Sequence, residues 1–278
     1  MDTNIWGPQL WALLSAIARA TDASYRAVTF AAGTQDPAPA EQHDGSGPSA
    51  RHLGRRHGSR RAWGYGQPCT IEHHGPGLMG AGADAEMSYK RAFLLLVYSL
   101  QYVMPCRFCR DSYRVYIRDL PPERFGDARE FVWRLKNRVN EKLGKQNCGI
   151  PYDKYVKRLE CSTSVVDPLQ VWDLLDIFAA NYPRADAAHE DPEHEPKRAA
   201  YRVFLGALAR CARDIPGLQQ VARFVHPASL TAADIADRAA FRTWVWRQRD
   251  AWAAWAGLTS AERTAITMAQ QRRLRHTG

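Results

Sequence analysis

The sequence predicts an all-α protein, because none of its 278 residues falls in a segment typical of a β-strand. Apolar side chains recur at helical spacing, as in Leu10, Leu13, Leu14 and Ile17. Prolines, glycines and capping residues divide these periodic segments into helices of ordinary length. A hydrophobic content of 45% is typical of a globular chain that buries a core.

The first half of the chain is expected to form five helices. We predict them at about residues 8–31, 88–103, 106–119, 127–145 and 151–160. Pro105 ends the second helix because a proline cannot continue the helical hydrogen-bond pattern. Asp127 can cap the fourth helix, and Gly144 signals its end. The stretch at about 33–86 is rich in Gly, Pro, Ser and Arg without periodicity, and we predict a disordered insertion there.

A second helical region follows the first. We divide the chain into a domain at 1–162 and a C-terminal helical domain at 167–278. The latter is predicted to contain an amphipathic helix at 168–182, an acidic linker at 183–196 and three or four further helices at 197–275. One of these helices can present a broad aromatic face to a core or to a dimer partner, formed by Phe241, Trp244, Val245, Trp252 and Trp255. We assign this region no chemistry.

The formal net charge of +9 permits contact with nucleic acid or acidic surfaces. Much of this excess lies in arginine clusters at 51–61 and 272–275, which are typical of a solvated loop and tail. The arginine-rich stretch has few interleaved aromatic residues of the kind that stack on single-stranded nucleic acid. Nucleic acid is therefore not an expected partner.

The N-terminus has no basic segment followed by an apolar one, so we predict no secretory signal. The most apolar run, residues 93–97, is too short to span a bilayer. A soluble, cytoplasmic protein is the resulting expectation. Disulfides in that compartment are often catalytic, because the surroundings are reducing.

Cys106 and Cys109 form a Cys-x-x-Cys pair immediately after Pro105. At a helix start the dipole and the free N–H groups favour a thiolate, so we expect a lowered pKa. A thioredoxin-like site would follow a β-strand, whereas this pair follows an apolar helix. A zinc site would need the distant Cys148 and Cys161, whose spacing is poor for zinc, and we predict no metal. A redox-active disulfide fits best.

The other cysteines receive structural interpretations. Cys148 and Cys161 flank the fifth helix, and we predict a structural disulfide between them, with two unlinked buried thiols as the alternative. Cys69 lies in the predicted insertion and is either an incidental thiol or an electron shuttle. Cys211 shares an apolar helical face with Leu208, which predicts a core position.

Three motifs occur in order along the first half of the chain. They are Trp6-Gly7-Pro8-x-x-Trp11, Pro105-Cys106-x-x-Cys109 and Asn137-x-Val139-Asn140-x-x-Leu143-Gly144-Lys145. Together they resemble the Erv/ALR family of FAD-dependent sulfhydryl oxidases. The segments Phe131-x-Trp133 and 151–158 look most similar to the branch carried by large DNA viruses, whose members append a second helical domain.

This resemblance implies a four-helix bundle with a short fifth helix that binds FAD. Cys106 would form a mixed disulfide with a protein dithiol substrate, and Cys109 would pass two electrons to the flavin. Dioxygen would reoxidise the flavin and leave as hydrogen peroxide. The resemblance further implies a homodimer without membrane insertion, located in the cytoplasm of a host cell or packaged in virions.

The resemblance also implies a set of FAD contacts. These are Trp6, Trp11, Ser15, Trp133, Lys136, Asn137, Val139, Asn140, Lys145 and Arg158. The family usually carries histidine at the positions of Ser15 and Lys136, and Lys136 is expected to pair with a phosphate or to lie over the adenine. Asn137 and Asn140 lower helix propensity without an evident structural reason, which favours ligand contact over a solvated face. For Trp133 the alternative is a core position.

Two other functions compete with this interpretation. One is a basic nucleic-acid-binding or scaffold protein whose cysteines are structural or bind zinc. The other is a flavin-free reductant that resembles a disulfide isomerase. A flavin absorbance band in the purified protein distinguishes the oxidase from both.

Overall fold

The computed structural model describes residues 3–31, 87–145, 149–161, 166–186 and 192–275. Every regular element within these ranges is helical, which confirms the all-α prediction. The predicted insertion at about 33–86, with Cys69, lies outside the described residues, as does Cys148.

The helices of the first half follow the predicted order. They are α1 (Thr3–Ala31), α2 (Tyr89–Val103), α3 (Arg107–Asp119), α4 (Ala128–Lys142) and α5 (Tyr152–Cys161). The second half contains α6 (Pro168–Ala179), α7 (His194–Ala212), α8 (Gln219–Phe224), α9 (Arg238–Trp255) and α10 (Ser260–Arg275). Short 3-10 turns lie at Pro122–Arg124 and Pro227–Ser229.

Side-chain caps define several helix starts. Asp127 accepts the N–H of Arg129 at 2.7 Å, which confirms its predicted capping role, and Ser88 accepts the N–H of Arg91 at 3.3 Å. Asp167 and Asp237 cap α6 and α9 in the same way. Such caps satisfy N–H groups that have no partner within the helix.

Two predicted helix ends were placed too far along the chain. The helix α4 ends at Lys142 rather than at residue 145, because Gly144 adopts the left-handed conformation with φ of 62°. The N–H of Lys145 then bonds to the carbonyl of Asn140 at 3.0 Å. The helix α6 ends at Ala179 rather than at residue 182, and a turn with an Asn181 N–H to Phe178 carbonyl bond of 2.9 Å follows it.

The two predicted domains share a hydrophobic core. The helix α1 packs against α2, α4, α5 and α6, while α2 packs against α3 and along α7. The Trp6 ring of α1 meets the Phe178 ring of α6 edge-on, with centroids 6.5 Å apart. One continuous cluster of buried side chains therefore spans both halves of the chain.

The aromatic face predicted in the second half is mostly buried. Tyr182 stacks on Phe241 with centroids 4.4 Å apart, and Phe241 stacks on Trp244 at 5.7 Å. Trp252 is also buried, whereas Trp255 is 54% exposed at the end of α9. The face therefore serves chiefly as core. No described helix combines the length and the apolar character needed to cross a membrane.

A substitution at Phe131 tests the hydrophobic core in the first half of the chain. Phe131 is fully buried between the rings of Phe93 and Phe125, at centroid distances of 6.0 and 5.8 Å. We expect Phe131→Ala to lower the free energy of unfolding by about 3–5 kcal/mol, because it leaves a cavity. The measurement is urea unfolding followed by circular dichroism.

The matched control is Phe108→Ala, since Phe108 is 81% exposed. This change should stay within about 0.5 kcal/mol of the wild type. Equal destabilisation by the two substitutions would contradict the described core.

Candidate functional site

A cavity of about 940 Å³ opens between α1, α3 and α4. Leu159 of α5 and Gln170 of α6 also line it. The cavity brings together these predicted ligand contacts: Trp6, Trp11, Ser15, Lys136, Val139, Asn140 and Lys145. Cys109 lines the same cavity. Its volume lies at the upper end of the range of about 300–1,000 Å³ that is typical of small-molecule sites.

The Cys-x-x-Cys pair is held at the junction of α2 and α3. Cys106 is the N-cap of α3, and its Sγ accepts the N–H of Cys109 at 3.3 Å. Both cysteines are free thiols and half-buried. Cys109 lines the cavity, whereas Cys106 does not. The two sulfurs therefore differ in their access to a cavity ligand.

The Cys109 thiol does not have the lowered pKa expected of a helix start. Burial is the largest cause, and a hydrogen bond and charge repulsion from the neighbouring Cys106 sulfur add to it; together they raise the pKa of Cys109 from 9.0 to about 12. The positive charge of Lys142 acts in the opposite direction but is outweighed. The prediction was wrong for this residue, because the Cys109 side chain is partly buried and lies beside the Cys106 sulfur. In the dithiol state Cys109 holds its proton.

The cavity wall is cationic. Arg19, Lys136, Lys142 and Lys145 contribute to it, and no carboxylate occurs among the described lining residues. Burial lowers the pKa of Lys136, and the nearby charges of Arg158 and Lys145 lower it further. Like charges gathered at a partly buried site are stabilised when an anion binds there.

The remaining predicted ligand contacts lie outside the cavity wall. The Trp133 Nε1–H donates to the carbonyl of Ile150 at 2.6 Å, and its ring lies 5.4 Å from that of Tyr152. Trp133 therefore fixes the segment between α4 and α5. Asn137 is half-buried on α4. Arg158 is exposed on α5 and acts on the site through the electrostatic field at Lys136.

Sequence reasoning missed two cationic lining residues. Arg19 follows Trp11 and Ser15 at intervals of four residues, which places all three on one helical face. Lys142 follows Val139 by three residues on α4 and lies on the same face by the same argument. Both cationic residues can be identified from the sequence by their helical spacing from the predicted ligand contacts. Ser15 itself shares a hydrogen bond of 3.3 Å with the hydroxyl of the buried Tyr155.

The two other cysteines that the structure describes, Cys161 and Cys211, do not line this cavity. Cys211 is fully buried on α7, which confirms the predicted core position, and burial raises the pKa of its thiol. Cys161 is exposed at the end of α5. Because Cys148 is outside the described residues, the disulfide between Cys148 and Cys161 stays a prediction. Among the described residues, no group of three or more His, Cys, Asp or Glu side chains is placed to hold a metal ion.

The described site is a dithiol at the edge of a large, apolar and cationic cavity. No family model, curated protein or solved structure matches the chain. What the site can do chemically follows from its own geometry: the pair can exchange disulfides, and Cys109 is the member of the pair that lines the cavity.

The raised pKa of Cys109 has a measurable consequence in the reduced protein. A thiol reacts with iodoacetamide as the thiolate, so its initial alkylation rate should rise about tenfold per pH unit from about pH 8 to 11. The rate at Cys109 is read by peptide mapping at low conversion.

A short peptide of residues 105–111 is the control, because its thiols are exposed to water. Its alkylation should level off near the unperturbed pKa of 9.0. A plateau for Cys109 below about pH 10 in the folded chain would refute the raised pKa.

Proposed function

We propose that the chain is an FAD-dependent thiol oxidase of the Erv/ALR type, which forms disulfides in protein substrates and reduces dioxygen to hydrogen peroxide. One observation carries the proposal. Cys109, one half of a Cys-x-x-Cys pair, lines the same cavity as most of the residues expected to contact FAD.

The residues of the cavity fit FAD in three respects. Trp6, Trp11 and other apolar side chains provide walls for a flat aromatic ring system. The cationic side chains, with no described lining carboxylate, suit the diphosphate. The Nε1–H of Trp6 is buried without a hydrogen-bond partner among the described residues, and a ligand acceptor would satisfy it.

The entry of electrons follows from the different positions of the two sulfurs. In the disulfide state, a substrate thiolate attacks Cys106 Sγ, which breaks the Cys106–Cys109 bond and releases the Cys109 thiolate. The second substrate thiolate then attacks the substrate sulfur of the mixed disulfide. The substrate leaves as a disulfide, and Cys106 leaves as a thiolate. Two electrons now reside on the cysteine pair.

Cys109 is the sulfur that would face the cofactor, because it is the member of the pair that lines the cavity. Bound FAD would supply a two-electron acceptor that dioxygen reoxidises. Lys142 also lines the cavity and favours the Cys109 thiolate that forms when the disulfide opens. The homodimer and the location in host cytoplasm or in virions rest on the resemblance alone.

The deciding experiment combines an absorbance spectrum with an oxygen-consumption assay on a dithiol. The purified chain should show a flavin band and consume oxygen. Cys109→Ser should retain the flavin and lose turnover, because its hydroxyl cannot take part in disulfide exchange. Cys211→Ala, a core cysteine remote from the mechanism, should keep wild-type turnover per bound flavin.

Two results would overturn the proposal. One is a chain that carries stoichiometric zinc and no flavin, which would favour the scaffold function. The other is unchanged turnover in Cys109→Ser, which would remove the proposed role of the pair.

The cationic wall provides a separate test on cofactor affinity. Lys145→Ala should weaken FAD binding about tenfold, the size expected for one charge-assisted contact to a phosphate. The measurement is titration of the apoprotein with FAD, followed by flavin fluorescence.

Lys154→Ala on the exposed side of α5 is the control, because Lys154 does not line the cavity. It should bind FAD as the wild type does. Equal affinity in Lys145→Ala and Lys154→Ala would place the diphosphate away from the cationic wall.

A further inference from the structure

The main-chain carbonyl of Met104 accepts two side-chain hydrogen bonds from different halves of the chain. The Arg110 Nη1–H of α3 donates to it at 2.7 Å, and the Asn181 Nδ2–H donates at 3.2 Å. Met104 is the C-cap of α2 and is followed directly by Pro105 and Cys106. Both donors therefore act on the turn that presents the redox pair.

This turn depends on side chains because its own backbone offers few bonds. Pro105 has no N–H to donate, and Cys106 has left the regular structure of α2 without yet entering α3. Arg110 is only 8% exposed, so its guanidinium needs acceptors inside the protein. The Met104 carbonyl is such an acceptor, which fixes the turn against α3.

Two further contacts attach the same region to the second half of the chain. The Tyr201 hydroxyl of α7 donates to the Phe178 carbonyl at 2.6 Å and lies 3.4 Å from the Val103 carbonyl, next to Met104. Arg114 of α3 pairs with Glu193, the N-cap residue of α7, at 2.7 Å. The elements before and after the turn are thus both held from the second half.

We propose that the helical region after residue 167 is a positioning element for the redox turn, and that Asn181 is a positioning residue that sets the reduction equilibrium of the Cys106–Cys109 pair. The inference rests on the proposed function, since it assigns the C-terminal region a part in that same site. Asn181 contacts neither sulfur and acts through the Met104 carbonyl.

The direction of the effect follows from the dithiol geometry. In this state Cys106 Sγ accepts the Cys109 N–H at 3.3 Å, and that bond requires the turn to stay in place. Loss of the Asn181 contact loosens the turn, so the dithiol loses stabilisation relative to the disulfide. Removal of one hydrogen bond of ordinary strength corresponds to about a fivefold change in an equilibrium constant.

The test uses the full chain and two readouts that need no flavin. In glutathione buffers, two glutathione thiols reduce the protein disulfide and form one glutathione disulfide, so the equilibrium constant reports the stability of the dithiol. The second readout is the initial alkylation rate of Cys106. Asn181→Ala should shift the equilibrium about fivefold toward the disulfide and slow the alkylation by a similar factor.

Asn181→Asp is the second variant, because it keeps the size of the side chain and removes the donor. It should shift both readouts in the same direction, which guards against a folding defect in Asn181→Ala. The matched control is Thr267→Ala, which removes the Thr267 acceptor of an Arg249 hydrogen bond of 3.0 Å between α9 and α10. This control should leave both readouts unchanged.

Wild-type values in both folded Asn181 variants would overturn the positioning role. An equal shift in Thr267→Ala would also overturn it, because the effect would then reflect general destabilisation. Flavin binding by the wild-type chain separates the two proposals. If the wild-type chain binds no flavin, the proposed oxidase function is wrong. If it binds flavin but the glutathione equilibrium of the cysteine pair is unchanged in the Asn181 variants, only the positioning role is wrong.

Discussion

The burial of α2 is the constraint on which the rest of the structure depends. This helix is contacted by α1, α3 and α7, and most of its apolar side chains are buried. Because α2 is fixed on several sides, its C-terminal end has a fixed position. Pro105 stops the helix there, and Cys106 then begins α3. The place of the redox pair is therefore a consequence of core packing.

The cavity depends on the same arrangement. The helix α1 packs on α2 and α4, and Trp11, Ser15 and Arg19 on one of its faces line the cavity, where Ser15 and Arg19 also bond to α5. Cys109 completes the wall from the first turn of α3. The site thus combines an apolar interior, which raises the pKa of a thiol, with a cationic wall that suits an anion. In the dithiol state Cys109 therefore has a raised pKa, and its side chain borders the cavity.

Local signals in the sequence were enough to predict most helix positions, because caps and prolines act on neighbouring residues. Pro105 and Asp127 act where they were expected to act. The end of α4 was misplaced because the conformation of Gly144 competes with the periodicity of the segment. The pKa of Cys109 was misjudged because burial is set by distant elements. The position of Cys109 in the sequence reveals the helix dipole but not the distant residues that bury its thiol.

Contacts between distant residues were the least predictable part of the site. Asn181 and Met104 meet through a hydrogen bond of 3.2 Å although 77 positions separate them, and neither belongs to a recognised motif. Trp133 lies within a predicted motif, yet its indole N–H is committed to the Ile150 carbonyl. A motif specifies residue types at fixed spacing, whereas the hydrogen-bond partners of those residues depend on the whole fold.

The Met104 carbonyl accepts hydrogen bonds from both halves of the chain, so the halves cannot be separated without loss of a contact. A main-chain carbonyl is present whatever side chain stands at that position, so the contact can be tuned only through its donors, Arg110 and Asn181. One donor lies in each half of the chain. A fragment of residues 1–162 would keep Cys106 and Cys109. It would lose the Asn181 donor and the packing of α7 against α2. The two halves are therefore one unit for engineering, even though only the first carries the redox motif.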